Sequence, residues 1–259
     1  MSLVDYVRLF RFYSHTSFLV VVAAAIFFSK GVSLNLMKSL IMLYLSFNVL
    51  LYGGLYTLNS IADLDSDKRH SLKKNRPLPA GKISVTSASI FAVTLVILGL
   101  ASGFLLFGVS VFYLYILFIL LNLLYTFALK HIPYIELVAN SITHPLRLVL
   151  ALMIFNNANI PSLLVLGYFF TILGSACVRR IVEKDVKGWE ARSVLRHYST
   201  QKLLYIQIAS FAFLLLTFFY EYKKYAPLYA IMVMFYIALV FGNYFSSQVR
   251  AHWTAVFTR

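Results

Sequence analysis

The chain has 259 residues, 61% of them hydrophobic and 12% charged, with a formal net charge of +14. A soluble domain carries about 25% charged residues, and here the apolar residues fall in blocks of the ~20 residues that cross a bilayer, so a soluble fold is excluded. In such a chain the positive excess reflects topology and headgroup attraction rather than nucleic-acid binding, and one cysteine, Cys177, excludes an internal disulfide.

The N-terminal stretch MSLVDYVRLFRFYSHTS lacks a small-residue cleavage site after a short apolar core, so the first apolar block is expected to stay as a membrane helix. Spans are expected over 17–36, 38–58, 85–107, 110–129, 134–155, 161–178, 203–222 and 227–245. The tail SSQVRAHWTAVFTR is too short and mixed to span; it reads as an interfacial segment with Trp253 and Phe257 dipping in. With a cytoplasmic N-terminus, eighteen Lys and Arg fall inside and four outside, with Arg147 within a span. That bias supports both the map and the orientation.

The expected fold is therefore all-α, a polytopic membrane helix bundle of eight or nine transmembrane helices. No Gly/Pro-rich linker divides it, so 1–259 reads as a single domain, a multi-pass protein of the cell membrane. Two long loops, 59–84 and 179–202, hold six of the nine acidic residues and are expected to be cytoplasmic. Concentrated charge on a scaffold of short turns marks them as the functional loops.

The first loop begins NSIADLDSDKRHSLKKNRPLPAG. Asn59, Asp63 and Asp67 are spaced four apart, which puts them on one face if the second span continues as a helix. Two carboxylates and an amide oxygen suit Mg²⁺, which takes one or two carboxylates and completes its shell with water and phosphate oxygens. Both carboxylates are expected to stand clear of packing, and Asp65 falls on another face. Lys73 and Lys74 offer point charges for phosphates, and Arg76 a bidentate fork. Pro77 and Pro79 stiffen the segment, and Gly81 with Ser84 reads as a turn before the next helix. Together these describe a magnesium-diphosphate site; the competing reading is a basic topology signal neutralised by its acidic neighbours.

Arg147 lies well inside a span, where a charge is expensive and faces a cavity or a partner. His144 and Pro145 beside it predict a kink. Glu136, near the start of that span, reads as a counter-charge rather than a base. Lys130 ends the fourth span as a snorkelling anchor. The six histidines are scattered singly, without zinc-ligand spacing. Gly53 and Gly54 predict close helix packing.

Asn59-x-x-x-Asp63-x-x-x-Asp67 followed by KKNRPLPAGKIS resembles the first aspartate-rich motif of the UbiA superfamily of intramembrane prenyltransferases. The stretch NLLYTFALKHIPYIEL, with Tyr125 and Lys130, and the intramembrane Arg147 look like further family positions. The resemblance implies a bundle, usually of nine helices, around a lipid-accessible cavity. There, magnesium on two aspartate-rich loops binds a diphosphate leaving group. It implies metal ligation by Asn59, Asp63 and Asp67, and catalytic roles for Asp63, Asp67 and Glu183. Substrate contacts are implied for Lys73, Lys74, Arg76, Lys130, Arg147, Arg179, Arg180, Asp185 and Arg192.

Three departures stand out. Ser60 occupies a place where the motif usually has Asp, the ninth helix is missing or vestigial, and the second loop is basic. Residues 179–202 hold seven Lys and Arg against Glu183, Asp185 and Glu190. The order Arg179-Arg180-x-x-Glu183, Gly188, Arg192, Leu195, Tyr198 is similar to the polyprenyl-phosphate phosphoribosyltransferase branch. Both reactions expel magnesium pyrophosphate from a carbon that becomes cationic, so one metal clamp serves either. An arginine-rich second loop favours a lipid phosphate as acceptor. The reading preferred on sequence is thus phosphoribosyl transfer from phosphoribosyl pyrophosphate to a polyprenyl phosphate. The alternatives are prenyl transfer from a prenyl diphosphate to an aromatic or lipid acceptor, and a weakened relative acting as a lipid carrier or transporter.

Overall fold

A computed structural model of the protein describes residues 3–29, 31–69, 73–156, 159–185 and 193–257. Its helices are α1 (Leu3–Leu9), α2 (Leu19–Phe28), α3 (Leu34–Ala62), α4 (Leu64–Arg69), α5 (Val85–Phe107) and α6 (Val109–Phe127). They continue as α7 (Ile135–Ile142), α8 (Pro145–Phe155), α9 (Ser162–Asp185), α10 (Thr200–Glu221), α11 (Lys223–Phe245) and α12 (Ser247–Phe257). Among the described residues there is no β-strand. Seven helical segments are long and apolar enough to cross a membrane, counting α7 and α8 together, and His15–Phe28 is a shorter apolar helix. Large apolar side chains on their outer faces, such as Ile90, Leu105 and Phe219, are exposed, as a lipid solvent requires.

Several boundaries differ from the sequence expectation. The first apolar helix stops at Phe28 rather than near residue 36, and α3 starts at Leu34. Ser33 decides this: its backbone is extended and its Oγ accepts the Leu36 amide at 3.1 Å, an N-cap that starts a new helix. The second loop is shorter than expected, because α9 continues to Asp185. Early in α11 the helical path breaks at Tyr225 (φ −127°, ψ 23°), two residues before Pro227, whose ring disfavours helical geometry in the preceding turn. The tail forms α12, and Trp253 is buried within the protein rather than dipping outward; its indole N–H donates to the Leu239 carbonyl at 2.8 Å.

The chain divides into two compact units, Met1–Phe127 with Leu146–Ile160, and Ala128–Pro145 with Pro161–Arg259. The division passes through the apolar stretch 135–155, where no linker composition announces it.

In the first unit α3 packs closely on α5. A Cβ on Gly54 would lie 2.8 Å from the Ala92 carbonyl oxygen, so only glycine permits this approach. Within α3, residues Tyr44–Tyr52 are wound as a π-helix that buries Phe47 and Leu51. Ser84 caps α5 by accepting the Ser87 amide at 3.1 Å, after a turn in which Gly81 adopts φ +71°. Leu78 and Ile83 from that turn join Leu9 and Ala88 in a small apolar cluster that anchors the loop.

In the second unit α9 pairs along its length with α10. Cys177 is fully buried among Leu137, Ile181, Leu195, Tyr198 and Leu203, a small apolar core residue as expected.

Candidate functional site

The first unit carries the aspartate column. α3 ends at Ala62 and Asp63 leaves helical geometry (φ −93°, ψ 4°), yet the hydrogen-bond ladder carries on. The Asp63 amide donates to the Asn59 carbonyl at 2.9 Å, and the Asp67 amide to the Asp63 carbonyl at 2.8 Å. The four-residue spacing thus survives the helix break, and the three residues remain in register. Ser66 stabilises the junction by donating to the Asp63 carbonyl at 2.8 Å. From α6, the Thr126 hydroxyl donates to Asn59 Oδ1 at 3.4 Å.

The two carboxylates differ in setting. Asp63 is half-buried, whereas Asp67 is 4% exposed, more enclosed than the sequence implied. Arg76 Nη1 donates to Asp67 Oδ2 at 3.0 Å, and Lys73 Nζ lies 4.0 Å from Oδ1. Asp67 therefore already has its charge compensated inside the loop. The loop achieves this by folding over itself: Ala80, Gly81 and Lys82 amides return to the carbonyls of Arg76, Leu78 and Pro77. Lys74 and Asp65 are exposed.

The donor set is two carboxylates and an amide oxygen, which fits a hard cation that keeps part of its shell for water and phosphate. Among the described residues no three His, Cys, Asp or Glu side chains gather as a metal cage. Magnesium shared with a diphosphate needs no such cage.

Arg147, also in this unit, is fully buried at the start of α8. Its guanidinium carbon lies 4.6 Å from the Tyr52 ring centroid, 5.2 Å from that of Phe118 and 5.8 Å from that of Phe47. The π-wound stretch of α3 supplies two of these rings. Quadrupole attraction from three faces offsets part of the cost of burying the cation.

The second unit holds a buried polar network that the sequence reading did not place. Glu136, 0% exposed on α7, is its centre. Arg180 donates to Glu136 through Nε and through Nη2, the latter at 2.5 Å, and its Nη1 donates to Glu183. Arg179 Nε reaches Glu183 Oε1 at 2.8 Å. Tyr198 donates its hydroxyl to Glu136 Oε1 at 2.6 Å, and the Tyr134 amide donates to that hydroxyl at 3.2 Å. Burial, and then the bond to the Glu136 carboxylate, push the Tyr198 phenol well above its ordinary pKa, so it remains a donor. The signal available in sequence was Glu136 itself: a carboxylate in the first turn of an apolar span demands a partner.

Of the other expected positions, Lys130 is buried in a short 3₁₀ turn, Leu129–His131, and Tyr125 is half-buried on α6. Asp185 is exposed at the end of α9. Arg192 and Gly188 lie outside the described residues.

The sequence profile of the UbiA prenyltransferase family matches residues 18–257. A digeranylgeranylglyceryl phosphate synthase of Methanocaldococcus jannaschii is 38% identical over 72 residues, 28% of this chain and 24% of that protein. A decaprenyl-phosphate phosphoribosyltransferase of Corynebacterium glutamicum is 32% identical over 103 residues, 39% of this chain and 31% of that protein. The matched stretches thus span less than a third of either relative. A UbiA homolog from Archaeoglobus fulgidus, solved with GPP and Mg²⁺, superposes with a TM-score of 0.78 over 98% of this chain and 96% of that one, at 18% identity.

Proposed function

Because the chain belongs to the UbiA prenyltransferase family, we propose that it is a magnesium-dependent membrane transferase that moves a prenyl group from an isoprenoid diphosphate to a lipid-soluble acceptor. The observation that carries this reading is the Asn59–Asp63–Asp67 column with Arg76 and Lys73 already gathered on Asp67. Carboxylates and cations side by side are what a metal-bound diphosphate needs. Bound magnesium supplies charge neutralisation for the leaving diphosphate while the carbon it leaves becomes cationic. Asn59, Asp63 and Asp67 would hold that ion, and Lys73 and Arg76, which now face Asp67, would donate to the phosphate oxygens. The binding of GPP and Mg²⁺ by the A. fulgidus homolog supports this reading, as does the glyceryl phosphate synthase relative.

A second reading, phosphoribosyl transfer to a polyprenyl phosphate, is favoured by the partial match to the phosphoribosyltransferase. In the sequence, the arginines of the second loop favour it. Arg180 is buried and engaged by Glu136 and Glu183, so the basic count of that loop overstates the charge available to a lipid phosphate. Prenyl transfer is therefore the leading reading. We place both long loops on the cytoplasmic side, on the eighteen-to-four charge bias.

The deciding assay supplies purified protein and Mg²⁺ with a prenyl diphosphate and lipid acceptors, and separately with phosphoribosyl pyrophosphate and polyprenyl phosphate. Product in the first mixture alone is expected. Product only in the second reverses the ranking, and no pyrophosphate release in either removes the enzymatic reading.

A further inference from the structure

A cleft of about 380 Å³ opens in the first unit beside the aspartate column, between the N-terminal segment and the loop. Arg8, Arg11, Arg76 and Ser60 line it, together with a single carboxylate, Asp67. That carboxylate is engaged by Arg76 and Lys73. Arg11 meets a neutral hydroxyl instead. Its Nη2 donates to Ser60 Oγ at 2.6 Å, and its guanidinium carbon lies 5.5 Å from the Tyr56 ring centroid. The Ser60 hydroxyl in turn donates to the Tyr56 carbonyl at 2.9 Å. Among the described residues no carboxylate pairs with Arg8 or Arg11.

The backbone adds an independent sign. Arg11 adopts φ 50°, ψ 53°, a left-handed conformation that residues with a Cβ seldom take. Such conformations persist where the surroundings impose them, and they cluster at binding sites. Here the turn it makes ends the N-terminal segment with Arg11 aimed at Ser60. Val7 and Phe12, 41% and 48% exposed, supply apolar surface at the same cleft.

We propose that this cleft is a phosphate-binding site held by Arg8 and Arg11, adjoining the metal column through Asp67 and Arg76, which line its edge. Guanidinium forks match phosphate oxygens bidentately, and the Ser60 hydroxyl that Arg11 meets is neutral and leaves the arginine's charge uncompensated. The ligand class is a phosphate monoester or diester, either a lipid headgroup or a soluble phosphate. The site does not depend on which group the protein transfers.

The test uses the purified full chain in detergent with EDTA present, so that metal-mediated phosphate binding is absent. Short-chain phosphatidic acid, short-chain diacylglycerol and inorganic phosphate are titrated, with binding followed by native mass spectrometry and thermal unfolding. Phosphatidic acid is expected to bind and to raise the unfolding temperature, and diacylglycerol is not. Arg8→Gln with Arg11→Gln should weaken phosphatidic acid binding by about tenfold or more. Ser60→Asp places a carboxylate on Arg11 and should weaken it similarly without loss of folding, so this variant decides alone if the arginine pair fails to fold. Binding of inorganic phosphate as well assigns the site to the phosphate group itself; binding of phosphatidic acid alone assigns it to a headgroup with its chain. Equal affinity in wild type and Ser60→Asp, or no difference between phosphatidic acid and diacylglycerol, overturns the proposal.

Discussion

Arg180 and Glu136, 44 residues apart in sequence, form a fully buried two-pronged ion pair, with Nη2 to Oε2 at 2.5 Å. It joins α7 to α9 in the second unit, and Tyr198 ties the segment after the loop to the same carboxylate. Breaking one side of a buried pair leaves an uncompensated charge, which costs about 3–5 kcal/mol. Glu136→Ala should therefore lower the unfolding temperature severely. Replacing both partners, Glu136→Leu with Arg180→Met, should cost less than Glu136→Ala alone. Arg180→Ala with unchanged unfolding and a raised KM would mean instead that Arg180 serves the substrate.

Asp63 and Asp67 should separate function from stability. Asp63→Asn is expected to abolish Mg²⁺-dependent turnover with little change in unfolding. Asp67→Asn should abolish turnover and also destabilise by about 1–3 kcal/mol, because Arg76 and Lys73 lose their charged partner. Equal unfolding temperatures for the two variants would contradict the salt bridge as a structural element. Chelation of the metal should stop turnover in wild type reversibly.

Arg147 in its ring cage should not tolerate lysine. A guanidinium is planar and weakly hydrated, whereas an ammonium is a compact, strongly hydrated charge. Arg147→Lys is expected to destabilise by about 2 kcal/mol or more, the worth of a desolvated cation–π contact. Tyr52→Leu, which removes the nearest ring, should show part of the same loss. Thermal unfolding of the two variants and their combination measures it: if the effects simply add, the ring and the cation do not interact.

Gly54→Ala should loosen the contact of α3 with α5. The added Cβ meets a backbone carbonyl, which cannot move aside as a flexible side chain can. Overpacking of this kind costs about 1–3 kcal/mol, and a wild-type unfolding temperature in Gly54→Ala would show that the helices separate freely.

The all-α membrane class, the approximate spans and the spacing of the aspartate column are legible in the residues alone. These follow from local rules. Apolar block length reports bilayer thickness, and four-residue spacing keeps Asn59, Asp63 and Asp67 in register through local backbone hydrogen bonds that bridge the break at Asp63. The loop turn is legible too, at Gly81 and Ser84, which act on their immediate neighbours. Who pairs with whom is set by the packing of the elements. That Arg180 answers Glu136, that three rings from α3 and α6 surround Arg147, and that Asp67 is already neutralised by Arg76 depend on how helices and loop pack. A charge count cannot distinguish an arginine spent on a buried carboxylate from one facing an open cleft, since the two differ only in solvent exposure and in partners brought together by the fold. Arg180 and Arg11 are the two cases here: both are arginines beside an apolar block in the sequence, and they are opposite in what surrounds them.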